Sequence, residues 1–145
     1  MGMPKYHAVN GRLGRILIVD DEPEVRKPVV LSLLDARYEV VKANNGEQAI
    51  EALKAEGNAL MVDTILCDIR MPKIHSIETV SYFRTHYPAI PVVVLTGYPD
   101  VELAVCLMKR GVLDYLVKPV PMEELMTVIK EAVEQHRLFM NQFVA

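Results

Sequence analysis

The sequence predicts a doubly wound α/β domain, a five-stranded parallel sheet built from five successive strand–helix units with helices on both faces. Three observations point there. Short apolar runs alternate with longer amphipathic stretches five times over. The runs are rich in β-formers, and several lack the in-and-out alternation of a half-exposed strand, as expected of strands covered on both sides. The stretches between them carry helix caps at plausible ends. The strand order expected for such a chain is the flavodoxin-like 2-1-3-4-5.

The strand runs lie at 16–19, 39–43, 65–67, 92–95 and 115–117. Pro23, just after Asp21 and Glu22, makes a good first helical residue. Asn45 caps the stretch GEQAIEALKAE, which closes on Gly57. Asp100 caps VELAVCLMKR, which closes on Gly111, and Pro121 with Glu123 and Glu124 opens the last helix. Residues 1–14 have no periodicity and read as a loose N-terminal arm. The domain is expected over 15–137, with 138–145 an extension of the last helix or a linker stump.

At 145 residues the chain fits one domain with a sizeable core. A net charge of -3 argues against nonspecific nucleic-acid binding, which needs a basic face. Cys67 and Cys106 form no CxxC pair and read as free thiols in a reducing compartment. No targeting segment is recognisable: Tyr6 stands where a myristoylation signal wants Ser or Thr, and no run reaches membrane-spanning length. The expectation is a cytoplasmic chain with no membrane contact. His7, His75, His86 and His136 show no metal spacing and read as solvent-facing or partly packed. The eight Met residues read as core filler.

In sheets of this kind, sites form at the C-terminal ends of the strands near the switch point, so the residues that end the strands matter most. The first run ends in Asp20-Asp21, the third in Asp68, the fourth in Thr96-Gly97 and the fifth in Lys118-Pro119. Three carboxylates converging on one pocket repel by about 4 kcal/mol per close pair at an effective dielectric near 20. An all-oxygen cluster suits a hard divalent cation, and Mg²⁺ is the natural choice. Lys118 brings a positive charge, Thr96 a hydroxyl donor, and Gly97 leaves room for a bulky group. Such a set stabilises a phosphoryl group in flight while a carboxylate attacks in line. Asp68, on the central strand, is the best-placed nucleophile, with Asp20 and Asp21 holding the metal.

The motifs ILIVDDEP at 16–23, ILCDIRMP at 65–72, VVVLTGYPD at 92–100 and DYLVKP at 114–119 resemble the receiver domains of two-component response regulators. The resemblance covers about 15–137, and the stretch TGYPDVELAVCLMKRGVLDYLVKP looks most like receivers of the nitrogen-regulation class. It implies that Asp68 accepts phosphate from the phosphohistidine of a histidine kinase. It further implies Mg²⁺ bound by Asp20, Asp21, Asp68 and the backbone carbonyl of Arg70. Tyr115 matches the family's aromatic switch residue, whose rotation follows movement of Thr96. The chain departs from the pattern with His75-Ser76 where Asp-Gly is usual, with Pro28 inside the first helix, and with a turn at 36–38 that lacks the usual glycine. An interior Pro costs about 3 kcal/mol unless the helix kinks.

Two other classes compete with this switch. A haloacid-dehalogenase-like phosphohydrolase would carry its nucleophile in a DxD pattern ending strand 1, where this chain has DDEP. A phosphorylation-independent interaction module on the same fold would have lost an acid, the Thr or the Lys, and all are present. The output face is expected on the fourth and fifth predicted helices and the fifth strand. On a helical wheel Val101, Ala104, Val105 and Met108 face the core, leaving Leu103, Cys106 and Leu107 toward a partner. In the last helix Leu125, Ile129, Ala132, His136, Phe139 and Phe143 alternate steps of four and three, a coiled-coil seam. A homodimer through this face is the expected assembly, with a frayed stump after 138 as the alternative.

Overall fold

The computed structural model describes residues 13–55, 57–69 and 74–142, with the side chains of 74 and 75 excepted. Five strands alternate with six helices among them. The strands are β1 (Gly14–Val19), β2 (Tyr38–Ala43), β3 (Thr64–Ile69), β4 (Val92–Thr96) and β5 (Asp114–Val117). The helices are α1 (Pro23–Asp35), α2 (Gly46–Lys54), α3 (Asn58–Met61), α4 (Ile74–His86), α5 (Val101–Lys109) and α6 (Met122–Asn141). The strands form one parallel sheet in the expected order, β2-β1-β3-β4-β5.

Strand side chains alternate between two cores. Leu17, Val19, Ile65, Cys67, Val92 and Val94 meet α2, α4 and α5 on one face, where Phe83 is fully buried. Ile16, Ile18, Leu66, Val93, Leu95 and Leu116 meet α1 and α6 on the other. This two-sided burial is why the strands read as apolar runs rather than alternating ones. Asn45 and Asp100 cap as expected, accepting from Gln48 N and Leu103 N.

Several details differ from expectation. β1 begins at Gly14, so the strand reaches into the stretch read as arm, while residues 1–12 lie outside those described. α3 follows Gly57, which adopts φ 69°, and the Asn58 amide donates to Ala52 O while its oxygen accepts from Arg15. α1 stays one helix through Pro28. Pro28 lies on the exposed side, where water can serve the carbonyl its missing N–H leaves unpaired. The turn lacking a glycine is made by Arg37, held at φ 73°, whose carbonyl accepts from Leu13 N at 2.7 Å.

Two side-chain placements are corrected. In α5, Leu103 and Leu107 are core residues, at 5% and 0% exposure, so they are not a partner face. Val101, Val105 and Met108 are the exposed ones, and Cys106 is half-buried, its Sγ within 2.6 Å of an Arg110 guanidinium nitrogen. The helix is apolar nearly all round, so its rotation is set by the cavity between β4, β5 and α4, not by its own pattern. His136 is buried at 1% exposure rather than solvent-facing. The α6 seam is spent on the sheet through His136, and beyond it Leu138 and Phe139 are exposed; Phe143 lies outside the described residues.

Candidate functional site

The C-terminal ends of β1, β3, β4 and β5 bring the chemical groups to one edge of the sheet. Register places Asp68 beside Leu95 and Ile69 beside Thr96, so the acid and the hydroxyl sit on adjacent strands. Asp20 follows β1, its N–H bound to Ala43 O at 3.0 Å, and is 2% exposed. One of its oxygens accepts from Glu22 N at 3.0 Å, which turns the chain into α1. Asp21, next along, faces solvent.

Lys118 Nζ meets Asp68 Oδ2 at 2.5 Å, with the lysine side chain 28% exposed and the aspartate 5%. The second oxygen, Oδ1, is buried with no hydrogen-bond partner among the described residues. Burial pushes the Asp68 carboxyl up from 3.8 to about 6; the Lys118 hydrogen bond pulls it down, and the Asp20 carboxylate pushes it up again. Half of this carboxylate is thus matched by a cation and half is not. Cys67, one residue before, is pushed up to about 12 by burial and is inert as a nucleophile.

Thr96 is fully buried, its hydroxyl accepting from Tyr98 N at 3.1 Å. Tyr115 packs against the core, and its hydroxyl is enclosed without a hydrogen-bond partner among the described residues. The peptide between Lys118 and Pro119 is cis. Arg70 lies outside the described residues.

An Mg²⁺ ion fits the chemistry of this edge. Asp68 Oδ1, without a hydrogen-bond partner among the described residues, and the neighbouring buried Asp20 present hard oxygens at one edge. Among the described residues no three acidic, His or Cys side chains already close around one point, and Asp21 is exposed. Sequence reasoning missed Arg26, whose guanidinium spans the strand ends behind Asp20. The signal available was a basic residue one turn and a half after the acid pair, in a helix that starts beside it.

Comparison with known proteins places the chain among recognised sequences. The family profile described as response regulator receiver domain matches residues 16–130. Transcriptional regulatory protein ZraR of Klebsiella oxytoca is 38% identical over 130 residues, covering 90% of this chain and 28% of that protein. Regulatory protein AtoC of Escherichia coli (strain K12) is 36% identical over 122 residues, 84% of this chain and 26% of that protein. The chain therefore spans little more than a quarter of these relatives. A response regulator receiver domain protein from Clostridium thermocellum superposes with a TM-score of 0.78 at 28% identity, covering 88% of this chain and 99% of that one. No helix among the described residues is long and apolar enough to cross a membrane.

Proposed function

We propose, from the premise that this chain belongs to the response regulator receiver domain family, that it is a signalling switch carrying its phosphoryl group on Asp68. The observation that carries this reading is the half-matched carboxylate: Oδ2 on Lys118, Oδ1 buried without a hydrogen-bond partner among the described residues. The donor is the phosphohistidine of a histidine kinase. An Asp68 oxygen attacks the phosphorus as the P–N bond breaks, and the imidazole nitrogen leaves with the electron pair. Lys118 neutralises charge on the phosphoryl oxygens and releases its contact with the carboxylate to do so. Asp20, Asp21 and Asp68, with the Arg70 carbonyl, hold Mg²⁺, which when bound supplies further charge neutralisation at those oxygens. Thr96 donates to the new acceptor oxygens, and Tyr115 follows its movement.

Intact mass after incubation with acetyl phosphate and Mg²⁺ tests this. A single phosphoryl adduct is expected, absent in Asp68→Asn and in EDTA. An adduct that survives Asp68→Asn would overturn the assignment. The output surface is the face of α5, β5 and α6, where Val101, Val105, Met108 and Val117 are exposed. A homodimer through it is the proposed assembly, checked by sedimentation with and without a beryllofluoride mimic. A monomer under both conditions would leave that face to another partner.

A further inference from the structure

Behind the acidic edge sits a residue that touches none of the reacting groups. Arg26, in the second turn of α1, donates through Nη1 to Asp20 O at 3.0 Å, to Asn44 Oδ1 at 2.8 Å and to Ala43 O at 3.4 Å. Those acceptors belong to two different strand ends. Asp20 follows β1, and Ala43 and Asn44 end β2, the one strand that brings no functional group to the edge. The same two ends are joined by the Asp20 N–H on Ala43 O. Asn44 is fixed in turn, since its N–H donates to Gln48 Oε1 at 2.8 Å, and Gln48 N is held by the Asn45 cap of α2.

We propose that Arg26 is a positioning residue for the cation: it fixes the backbone of Asp20, and hence the carboxylates of Asp20 and Asp21, against the β2–α2 turn. This rests on the phosphoryl-transfer reading above. The physical case is that the backbone just past a strand end has fewer ladder bonds to restrain its φ and ψ. A change in ψ of Asp20 and φ of Asp21 would move the Asp21 carboxylate relative to that of Asp20. One guanidinium nitrogen, its two hydrogens shared among three fixed acceptors, restrains those dihedrals, and the planar, permanently charged group holds its place. Its charge also lies behind the acid pair, where it offsets their mutual repulsion without competing for the carboxylate oxygens. Groups that orient ligands from behind in this way change metal affinity by about 10–100-fold when removed.

The test is Mg²⁺ titration by calorimetry on the unphosphorylated full chain, paired with acetyl phosphate uptake over a range of Mg²⁺ concentrations and with melting in EDTA. Arg26→Ala is expected to raise the Mg²⁺ dissociation constant about tenfold while uptake at saturating Mg²⁺ stays within about twofold of wild type. Arg26→Lys should fall between, since the shorter lysine keeps the charge but brings its ammonium less far toward the two strand ends. Asn44→Ala removes one acceptor and leaves α1 intact, so it gives a smaller rise in a variant that folds regardless. An unchanged dissociation constant in Arg26→Ala and Asn44→Ala, with only the EDTA melting point lowered, would make Arg26 a structural clamp and overturn the proposal. Wild-type protein that neither binds Mg²⁺ nor takes up phosphate would overturn the functional reading along with it.

Discussion

Two aspartates sit at opposite ends of β3, and the fold treats them differently. Asp63, just before the strand, is 5% exposed and fully engaged. Its Oδ2 accepts from Arg15 N at 3.0 Å, its Oδ1 meets His136 Nδ1 at 2.8 Å, and the Arg137 guanidinium approaches to 3.9 Å. The chain even clears room for it: a Cβ at Gly14 would come within 2.8 Å of Oδ2. Asp68, near the strand's other end, has one oxygen on Lys118 and the other without a hydrogen-bond partner among the described residues. A buried carboxylate with a hydrogen bond on each oxygen is part of the scaffold; one left half-matched is poised for a ligand. Both are aspartates on one strand run, so residue type alone does not distinguish them. Their partners do.

Removing the two should therefore have unequal consequences for stability. Asp63→Ala leaves His136 buried without its acceptor and should cost about 3 kcal/mol, lowering Tm by roughly 10 °C. Asp68→Ala should cost far less in the absence of Mg²⁺. Equal losses in thermal melts would erase the distinction drawn here. His136→Leu fills the same space but strands one Asp63 oxygen, for a loss of about 2 kcal/mol. Combined with Asp63→Ala its effect should be well short of additive, and a double-mutant cycle in urea measures that coupling.

The raised carboxyl of Asp68 gives the comparison a pH axis. Its pKa is higher folded, about 6, than the ordinary 3.8, so the folded state binds the extra proton between those values. The stability this proton lends is fully present below 3.8 and is lost as pH rises through 6. Asp68→Asn, which carries no charge at any pH, should then be more stable than wild type at pH 7 in EDTA. The gain is about 1 kcal/mol, held down by solvent around the partly exposed Lys118. The gap should close toward pH 4, and urea titrations at the two pH values check it. A gap that widened toward pH 4 would mean Asp68 is stabilised as the ion.

The smallest effect concerns a residue at neither end of β3. Arg37 holds a left-handed backbone, φ 73°, that costs a side chain about 1 kcal/mol. Arg37→Gly should be stabilising by about 0.5 kcal/mol once the entropy of glycine is set against that strain, provided the exposed guanidinium contributes nothing. Urea midpoints resolve a change of this size.

These residues also show where sequence reading succeeds and where it stops. The strand-end groups Asp20, Asp68, Thr96 and Lys118 were legible because each follows an apolar run, and parallel topology sends all such ends to one edge. The rotation of α5 was not legible. Val101, Leu103, Ala104, Val105, Cys106, Leu107 and Met108 are nearly all apolar, so the wheel carries no preference, and tertiary space put Leu103 and Leu107 inside. His136 was misread because its burial depends on Asp63, 73 residues away, and no local pattern records that partner. α3 was missed since four residues carry no period. Arg37 shows that the geometry usually supplied by glycine was kept while the residue changed.

The Asp63–His136 contact also bears on where the domain ends. The family profile stops at residue 130, and every group at the acidic edge lies inside it. His136, the last buried residue of α6, lies beyond that limit. A chain shortened to the profile would keep its chemistry whole and still leave a buried carboxylate facing an empty seat. The stretch of sequence by which relatives are recognised is thus shorter than the stretch that must be inherited together for the fold to close.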